Sequence, residues 1–191
     1  MNNYTYVSDF RDNQQYRESF SLLALEVFGI DFEAWHQKGC WNERYICHSI
    51  LFQDQIVANV SINLMDIVTD SGKIRAVQAG TVMTHHEHRG KGLIKHLFDK
   101  VIEEYGAVSS FFYLFADKSV FDLYARFGFR RVSESIFCYY PPSAIKNEPL
   151  SEYRGVKKLN IDNPYEWELL KKLTVGRKPV SERLGVINDE H

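Results

Sequence analysis

Residues Gly80 to Leu97, with the sequence GTVMTHHEHRGKGLIKHL, decide the fold of this chain. The segment joins a predicted strand to a predicted amphipathic helix through a loop that contains three histidines, Arg89 and two glycines. The first amide groups of a helix lack intrahelical partners, and the helix dipole adds partial positive charge at that end. Gly90 and Gly92 have no side chain, so a ligand can approach the main chain closely. The segment therefore predicts a site for a diphosphate.

Two common phosphate-binding motifs do not fit this loop. A P-loop requires G-x-x-x-x-G-K-S/T, and the chain contains no such string. The dinucleotide fingerprint G-x-G-x-x-G fails because Lys95 stands where the third glycine belongs. Lys91 and Lys95 add formal positive charge beside Arg89. The predicted phosphate site therefore has to be of another kind.

The loop resembles the coenzyme A loop of the GNAT superfamily of acyl-CoA N-acyltransferases. That family carries Q/R-x-x-G-x-G/A between its fourth strand and third helix, and here the pattern reads RGKGLI. The last position departs from the family, because Ile94 replaces Gly or Ala. Either the branched side chain crowds the diphosphate, or it turns into the core and presents only its amide. The resemblance implies cofactor binding by Arg89, Gly90, Lys91, Gly92, Leu93 and Ile94.

A second family element follows in the segment FDLYARFGF, residues 121–129. It resembles the A-x-x-x-Y-x-x-x-G-F helix of the family, in which the tyrosine lies beside the CoA sulfur. Tyr124 matches this position, so the resemblance implies a catalytic hydroxyl that stabilises the departing thiolate. The alternative is a tyrosine that only packs in the core. Asp117 stands where the family often has Asn, which implies a contact with the cofactor.

The order of predicted elements agrees with the GNAT fold. Strand, helix and strand over 74–116 imply a right-handed crossover between two parallel strands. The resemblance implies an α/β fold of the α+β type: a mixed, mostly antiparallel sheet that splays at one parallel strand pair and is flanked by helices. In the family the pantetheine arm binds free edge amides in the gap. The corresponding residues here are Val82, Met83 and Thr84.

Periodicity predicts the remaining elements. Alternation over 56–64 predicts a strand with one buried face, and the apolar run 110–116 predicts a strand covered on both faces. Gly29 and Gly39 are predicted to end two helices. The other predicted helices and strands lie over 14–28, 32–38, 93–105 and 118–127, and over 4–7, 44–52, 74–84 and 129–140, respectively.

Composition and charge argue against several classes of function. The chain has 191 residues and a formal net charge of −2, so a nucleic-acid surface, which is normally basic, is not expected. Neither a signal-peptide pattern nor a membrane-spanning apolar run occurs, so no membrane partner is expected. The three cysteines, Cys40, Cys47 and Cys138, lack C-x-x-C spacing and indicate reduced thiols in a cytoplasmic protein.

Pro141-Pro142 predicts a domain boundary, with a GNAT domain over 1–142 and a C-terminal extension over 143–191. Asn163 and Glu166 form a capping-box pattern, and Pro164 suits the first helical position. Ser181 is a further candidate helix start. The extension is either a helical appendage that docks on the first domain, a partner interface or the start of a truncated second domain.

The general base and the acceptor pocket are the least defined parts of the predicted site. An alkyl amine with a pKa of about 10.4 must lose a proton before it attacks. The strand 74–84 offers no carboxylate and only Gln78, so Asp66, Glu43 and His85 are the candidates. The aromatic residues nearest to the expected acceptor side either pack in the core or form a wall for the acceptor; they are Trp35 and Trp41.

Histidines in the glycine-containing loop raise the question of a metal site. His85, His86 and His88 lie within four residues and lack the i, i+4 spacing of a helical zinc pair. We therefore expect a polar loop beside the ligand site and no bound metal.

The resemblance implies an N-acetyltransferase of class EC 2.3.1, which moves an acetyl group from acetyl-CoA to a primary amine by direct attack in a ternary complex. The acceptor is expected to be a small-molecule or peptide amine, and a homodimer is a further option. The alternative is a non-catalytic acyl-CoA-binding sensor or partner module, which Ile94 and the missing strand carboxylate keep open.

Overall fold

The computed structural model describes residues 3–133, 138, 158–175, 177–179, 181 and 183–188. The chain separates into two compact units, Met1–Phe129 with Lys178–His191, and Arg130–Arg177. The strands are β1 (Thr5–Ser8), β2 (Tyr45–Phe52), β3 (Gln55–Thr69), β4 (Gly72–Thr84), β5 (Phe111–Tyr113) and β6 (Leu184–Ile187). The α-helices are α1 (Gln14–Phe28), α2 (Glu33–Gln37), α3 (Leu93–Tyr105), α4 (Phe121–Ala125) and α5 (Pro164–Thr174).

The first unit is built on a mixed sheet with the strand order β1-β2-β3-β4-β5. Neighbouring strands are antiparallel except β4 and β5, which are parallel. β6 pairs with residues Asp66 to Thr69 of β3, on the edge that β2 occupies further along β3. The predicted fold class, a mostly antiparallel sheet with one parallel pair and flanking helices, is confirmed.

Helices cover both faces of the sheet and form two separate cores. One core packs α3 on the sheet, and its buried residues from α3 are Leu93, Leu97, Phe98 and Val101. The other core packs α1 on the opposite face through Phe20, Leu23 and Ala24, together with strand residues such as Tyr45 and Met83. The sheet is therefore buried from both sides where these helices cross it.

Helix ends follow the predicted capping chemistry. α1 spans the predicted residues, because the Asn13 side chain accepts from the Tyr16 amide (3.1 Å) and Gly29 takes a left-handed φ of 70°. α2 is shorter than predicted and begins at Glu33, whose amide donates to the Asp31 carboxylate over 2.9 Å. Local side-chain oxygens therefore decide where both helices start.

The prediction of one buried face for the strand 56–64 is wrong. Asn59 and Ser61 are as inaccessible as their apolar neighbours, with relative exposures of 0%. The reason is that α1 covers the face that alternation assigns to solvent. The buried polar groups satisfy one another: Ser49 Oγ donates to Asn59 Oδ1 over 2.7 Å, and Asn59 Nδ2 donates to Ser61 Oγ over 2.9 Å.

Two strand predictions near residue 113 also need correction. β5 is only three residues long, and Phe111 is 38% exposed, so the run 110–116 is not covered on both faces. An apolar run does not itself reveal what covers it. Of the predicted closing strands over 129–140, residues 129–133 are not strand, and the others lie outside the described residues except Cys138, which is not strand either.

The C-terminal segment contains one predicted helix and one unexpected strand. Asn163 Oδ1 accepts from the Tyr165 and Glu166 amides at the start of α5, as predicted. The capping box is only half formed, because Glu166 Oε2 accepts from the Asn160 amide (2.6 Å). The helix predicted at Ser181 is wrong, since residues 184–187 pair with β3 as β6. The boundary predicted at Pro141-Pro142 lies outside the described residues.

His48 is a titratable group buried in the sheet. Its exposure is 0%, its ring packs edge-on against Tyr105 of α3, and Nδ1 lies 2.7 Å from the Tyr6 hydroxyl. Nε2 has no hydrogen-bond partner within the described part of the chain. Burial therefore lowers the pKa of His48 to about 4, against the weaker opposite effect of Glu104 and Asp9.

This burial predicts a pH-dependent stability. Between pH 6.5 and 4 the unfolded chain binds a proton at His48 and the folded chain does not. The free energy of unfolding should therefore fall by about 3 kcal/mol as the pH drops through this range. Urea unfolding across this range should show a shallower decline for His48→Phe than for the wild type. Parallel pH curves for the two proteins would contradict the assignment.

Candidate active site

The pairing of β3 with β4 is interrupted near the end of β4. Asn59 pairs with Met83, but Ser61 pairs with Gly80, so β4 has one more residue than β3 in this interval. Thr81 has a φ of +45°, a conformation that β-branched residues rarely adopt. β4 therefore contains a β-bulge, which changes the direction of the residues that follow.

The residues after the bulge present amides to both edges of β4. The His85 amide donates to the Val57 carbonyl on β3 over 2.8 Å. Successive amides of an extended strand point to opposite edges. The Met83 amide therefore faces β3, whereas the Val82 and Thr84 amides face the other edge. Contact of Val82 and Thr84 with pantetheine stays a prediction, and the Met83 side chain is buried in the α1 core.

The edge that receives these amides is open in the described structure. Parallel pairing of β4 with β5 extends from Ala76 to Gln78, and β4 then continues to Thr84 without a partner in β5. The Thr84 carbonyl faces this edge and accepts a hydrogen bond from Arg89 Nε over 3.2 Å. Beyond Gln78 the edge of β4 is therefore not paired with β5, and Arg89 lies at the end of this edge.

The glycine loop brings the chain from β4 to the start of α3. A 3₁₀ turn over His86–His88 is followed by Gly90 and Gly92, whose φ angles are 73° and 76°. A Cβ atom on either glycine would meet no atom within 4 Å, so the conformation, and not space, requires glycine. Gly92 caps α3 without a side-chain hydrogen bond, which leaves the first α3 amides available to an anion.

The side chain of Ile94 turns into the core at this helix start. Ile94 packs against the core beneath α3 and Leu93 is buried in it, so both can offer only their amides to a ligand. Arg89 and Lys91 are exposed cations, whereas Lys95 forms an ion pair of 2.7 Å with Asp99. The available positive charge is therefore concentrated before the helix start.

The three histidines of the loop have different surroundings. His88 is buried: Nδ1 lies 2.9 Å from the Tyr4 hydroxyl, and the ring packs on Phe52. Burial, followed by the nearby charge of Lys91, lowers the pKa of His88. His88 therefore anchors the loop to Tyr4, which precedes β1, and to Phe52 of β2.

His85 and His86 instead approach Glu26 of α1, a neighbour that sequence spacing did not indicate. Glu26 carboxylate oxygens lie 3.7 Å from His85 Nε2 and 3.3 Å from His86 Nδ1. One carboxylate oxygen of Glu26 and one ring nitrogen each of His85 and His86 lie within 4.8 Å of one another and could bind a metal ion. The group His85, Glu87 and His88 could do the same. The side chains of Glu26 and His86 are 48% and 65% exposed, so water competes for both.

Tyr124 lies on α4 and is half-buried. Its ring packs edge-on against Phe98 of α3 with the centroids 6.2 Å apart, and it also contacts Phe129. The two sequence motifs that resemble the family therefore meet at one core. Burial raises the pKa of Tyr124, and its hydroxyl forms no hydrogen bond with another described residue. Tyr124 therefore packs through its ring and, among the described residues, has no hydrogen-bond partner for its hydroxyl.

Asp117 occupies the turn that precedes α4. Its Oδ1 accepts from the Ser119 amide over 2.9 Å and caps the 3₁₀ turn Lys118–Val120. Hydrogen bonds from Ser119 lower the pKa of this carboxyl. The side chain therefore has a structural role here, and contact with the cofactor stays a prediction.

Asp66 is held in hydrogen bonds that make it a weak base. Its carboxylate lies 2.8 Å from Arg44 Nη2 and accepts from Asn188 over 3.1 Å. Burial acts to raise its pKa, but these hydrogen bonds lower it overall. Asp66 pairs in register with Arg75, which at ~3.3 Å per residue is about 30 Å along β4 from Thr84. Asp66 therefore fastens β6 to the sheet at the end opposite the loop.

The remaining candidates for the general base and the acceptor pocket lie partly on the surface and partly in the core. Glu43 is exposed before β2, and Gln78 is half-buried within β4. Trp41 is buried and donates from Nε1 to the Tyr45 carbonyl over 3.1 Å, which makes it a core residue. Trp35 is half-buried with its ring 4.9 Å from that of Tyr45, so it alone of the two tryptophans retains accessible surface for an acceptor.

Comparison with known proteins identifies related folds. The family described as Acetyltransferase (GNAT) domain matches residues 13–132. An aminoglycoside acetyltransferase from an uncultured soil metagenomic sample, in complex with trehalose, is 13% identical with a TM-score of 0.59; the match covers 74% of this chain and 97% of that one. Curated proteins gave no match.

Two further structures show the same similarity. Ribosomal-protein-alanine N-acetyltransferase from Brucella melitensis biovar Abortus 2308 is 17% identical with a TM-score of 0.56, covering 72% of this chain and 99% of that one. A predicted acetyltransferase with acetyl-CoA from Clostridium acetobutylicum is 18% identical with a TM-score of 0.56, covering 71% and 96%. At these identities the similarity concerns the fold. Among the described residues, no helix is long and apolar enough to cross a membrane.

Proposed function

Because the chain belongs to the GNAT acetyltransferase family, we propose that it transfers an acetyl group from acetyl-CoA to a primary amine. One observation carries the proposal: the open edge of β4 leads directly into a loop of two left-handed glycines at the start of α3. The edge suits an extended amide-containing arm, and the helix start suits a diphosphate. Acetyl-CoA contains both parts in this order.

Different residues of the chain would bind the diphosphate and the pantetheine arm of acetyl-CoA. Amides at the start of α3, together with Arg89 and Lys91, would hold the diphosphate. The Val82 and Thr84 amides would pair with the pantetheine arm, as an added strand would. Met83 would support β4 by packing beneath α1 without touching the arm, because its amide faces β3 and its side chain is buried. This arrangement would hold the thioester at the gap between β4 and β5.

The reaction would be direct attack in a ternary complex. The amine nitrogen forms a bond to the acetyl carbonyl carbon, the carbon–sulfur bond breaks, and CoA leaves as a thiolate. Tyr124 would donate a hydrogen bond to this thiolate. Complete proton transfer from a phenol of pKa about 10 to a thiol of about 8.5 is uphill by ~2 kcal/mol, and the raised pKa of Tyr124 increases that cost. We therefore assign hydrogen bonding, and not full transfer, to Tyr124.

Two further parts of the reaction are the removal of the proton from the attacking amine and the chemical class of that amine. Asp66 is bound to Arg44, and its hydrogen bonds lower the pKa of its carboxyl, so it is a weak base and we assign the proton of the attacking amine to water instead. The acceptor is a small-molecule or peptide amine. The relatives named above act on amines of both kinds by their names, which supports an amine acceptor without choosing between these two classes.

The first test is ligand binding. At ~100 times its dissociation constant, acetyl-CoA should stabilise the fold by about 2.7 kcal/mol and raise the melting temperature accordingly. Turnover is then measured as free thiol released with a panel of amines. A melting shift with NAD or ATP but none with millimolar CoA would overturn the proposal. Binding without turnover of any amine would indicate a non-catalytic acyl-CoA-binding module.

The glycine loop predicts the effect of Gly92→Asp. The new carboxylate would stand at the start of α3 and repel the diphosphate, so CoA binding should be abolished in a folded protein. Gly39→Asp is the matched control, because Gly39 has a φ of 73° and equally free space around a Cβ. Each variant should lose about 1 kcal/mol of stability through left-handed strain, measured by urea unfolding. Normal CoA binding by Gly92→Asp would mean that the loop is wrongly assigned.

Tyr124→Phe tests the hydroxyl without removing the ring. Turnover should fall about tenfold to a hundredfold while acetyl-CoA affinity is retained, since the hydrogen bond strengthens only as charge develops on sulfur. Tyr105→Phe removes the hydroxyl of a tyrosine on α3 instead and should leave turnover unchanged. Melting is measured on the same samples. Unchanged turnover by a folded Tyr124→Phe variant would mean that Tyr124 only packs in the core.

A further inference from the structure

Asn59 is a fully buried amide on β3, next to the residue that lies opposite the bulge of β4. It lies on β3 with an exposure of 0%, on the face that α1 covers. A buried amide is costly unless its polar atoms are hydrogen-bonded. Asn59 therefore depends on hydrogen bonds that a Leu or Val at this position would not need, and its partners indicate what it does there.

Its hydrogen bonds join three strands. Nδ2 donates to the Thr81 carbonyl over 2.8 Å and to Ser61 Oγ over 2.9 Å, and Oδ1 accepts from Ser49 Oγ over 2.7 Å. The orientation of the amide follows from chemistry, since the Thr81 carbonyl can only accept a hydrogen bond. Asn59 therefore binds the one residue of β4 other than glycine that has a positive φ.

Thr81 needs such support. Its φ of +45° is unfavourable for a β-branched side chain and persists only where neighbouring groups hold it. The Asn59 amide holds its carbonyl, and the Tyr45 hydroxyl lies 2.8 Å from its Oγ1. Tyr45 is itself buried among the rings of Phe32, Trp35 and Trp41. The bulge is thus fixed from two sides by buried polar groups.

The bulge determines which residues of β4 face which way. Val77 and Ala79 pack in the core beneath α3, and regular alternation would send Met83 to the same face. Met83 packs instead in the core beneath α1, and Val82 packs against the α3 core. The one extra residue in β4 therefore moves each following side chain to the opposite face of the sheet and turns each following amide to the opposite edge of the strand.

We propose that Asn59 is a positioning residue for acetyl-CoA: its side chain holds the β4 bulge and so turns the Val82 and Thr84 amides to the open edge. The inference rests on the proposed function for the identity of the ligand. It concerns a residue that touches neither the cofactor nor the acceptor and acts only through Thr81.

The primary experiment compares Asn59→Ala with Ser49→Ala. Both remove a buried polar side chain from the same network, but only Asn59→Ala removes the hydrogen bond to Thr81. The dissociation constant for acetyl-CoA, measured by calorimetry, should rise about tenfold in Asn59→Ala and less than about twofold in Ser49→Ala. Tyr45→Phe, which keeps the ring and loses the other contact with Thr81, should weaken binding by a smaller factor.

A second substitution separates positioning from a general loss of stability. Glycine adopts a φ of +45° without strain, so Thr81→Gly should let the bulge form without support from Asn59. The double variant Asn59→Ala/Thr81→Gly should therefore recover most of the lost acetyl-CoA affinity. A double variant that binds as weakly as Asn59→Ala would overturn the proposal, as would wild-type affinity in Asn59→Ala.

Amide hydrogen exchange without ligand tests the bulge itself. In the wild type the Met83 and His85 amides face β3 and should exchange slowly, whereas the Val82 and Thr84 amides should exchange fast. Asn59→Ala should lose this alternation, and Ser49→Ala should keep it. An unchanged exchange pattern in Asn59→Ala contradicts the proposal. Failure of the wild type to bind acetyl-CoA would instead contradict the proposed function, which distinguishes the two failures.

Discussion

The candidate site depends on a constraint of β-sheet pairing: an amide that bonds to a neighbouring strand is not available to a ligand, whereas an amide on an unpaired edge is. β4 has β3 on one edge throughout and β5 on the other edge only as far as Gln78. Beyond that point the bulge at Thr81 selects the amides that turn to the unpaired edge. The glycine loop and α3 continue directly from this edge, so the orientation of the whole site follows from β4.

A site made largely of backbone groups places unusual demands on its side chains. Few of them need to touch the ligand, but several must hold the chain in conformations that it would otherwise avoid. Gly90 and Gly92 do this by having no Cβ, and Asn59 does it by binding the Thr81 carbonyl. This division is consistent with solved structures that share the fold at 13–18% identity, since backbone geometry can be kept by different residues.

Sequence reasoning succeeded where the information is local. The limits of α1, the glycine loop and the course of α3 follow from capping residues, glycine and helical periodicity within short windows. It failed where the answer depends on what lies opposite. Alternation places Asn59 on a solvent face because it carries no information about α1, which packs over that face. Local patterns do not assign residues 184–187 to a strand, because their partner strand β3 is distant in sequence.

By itself, the amino-acid sequence determined the family resemblance, the helix start that suits a diphosphate and the tyrosine helix, because each is encoded in contiguous residues. Only the tertiary structure decided that Ile94 turns inward, that Glu26 meets His85 and His86, and that Asp66 is tied to Arg44 far from the loop. These are contacts between elements separated along the chain. Their partners are selected by sheet register and helix packing, which no short window of sequence contains.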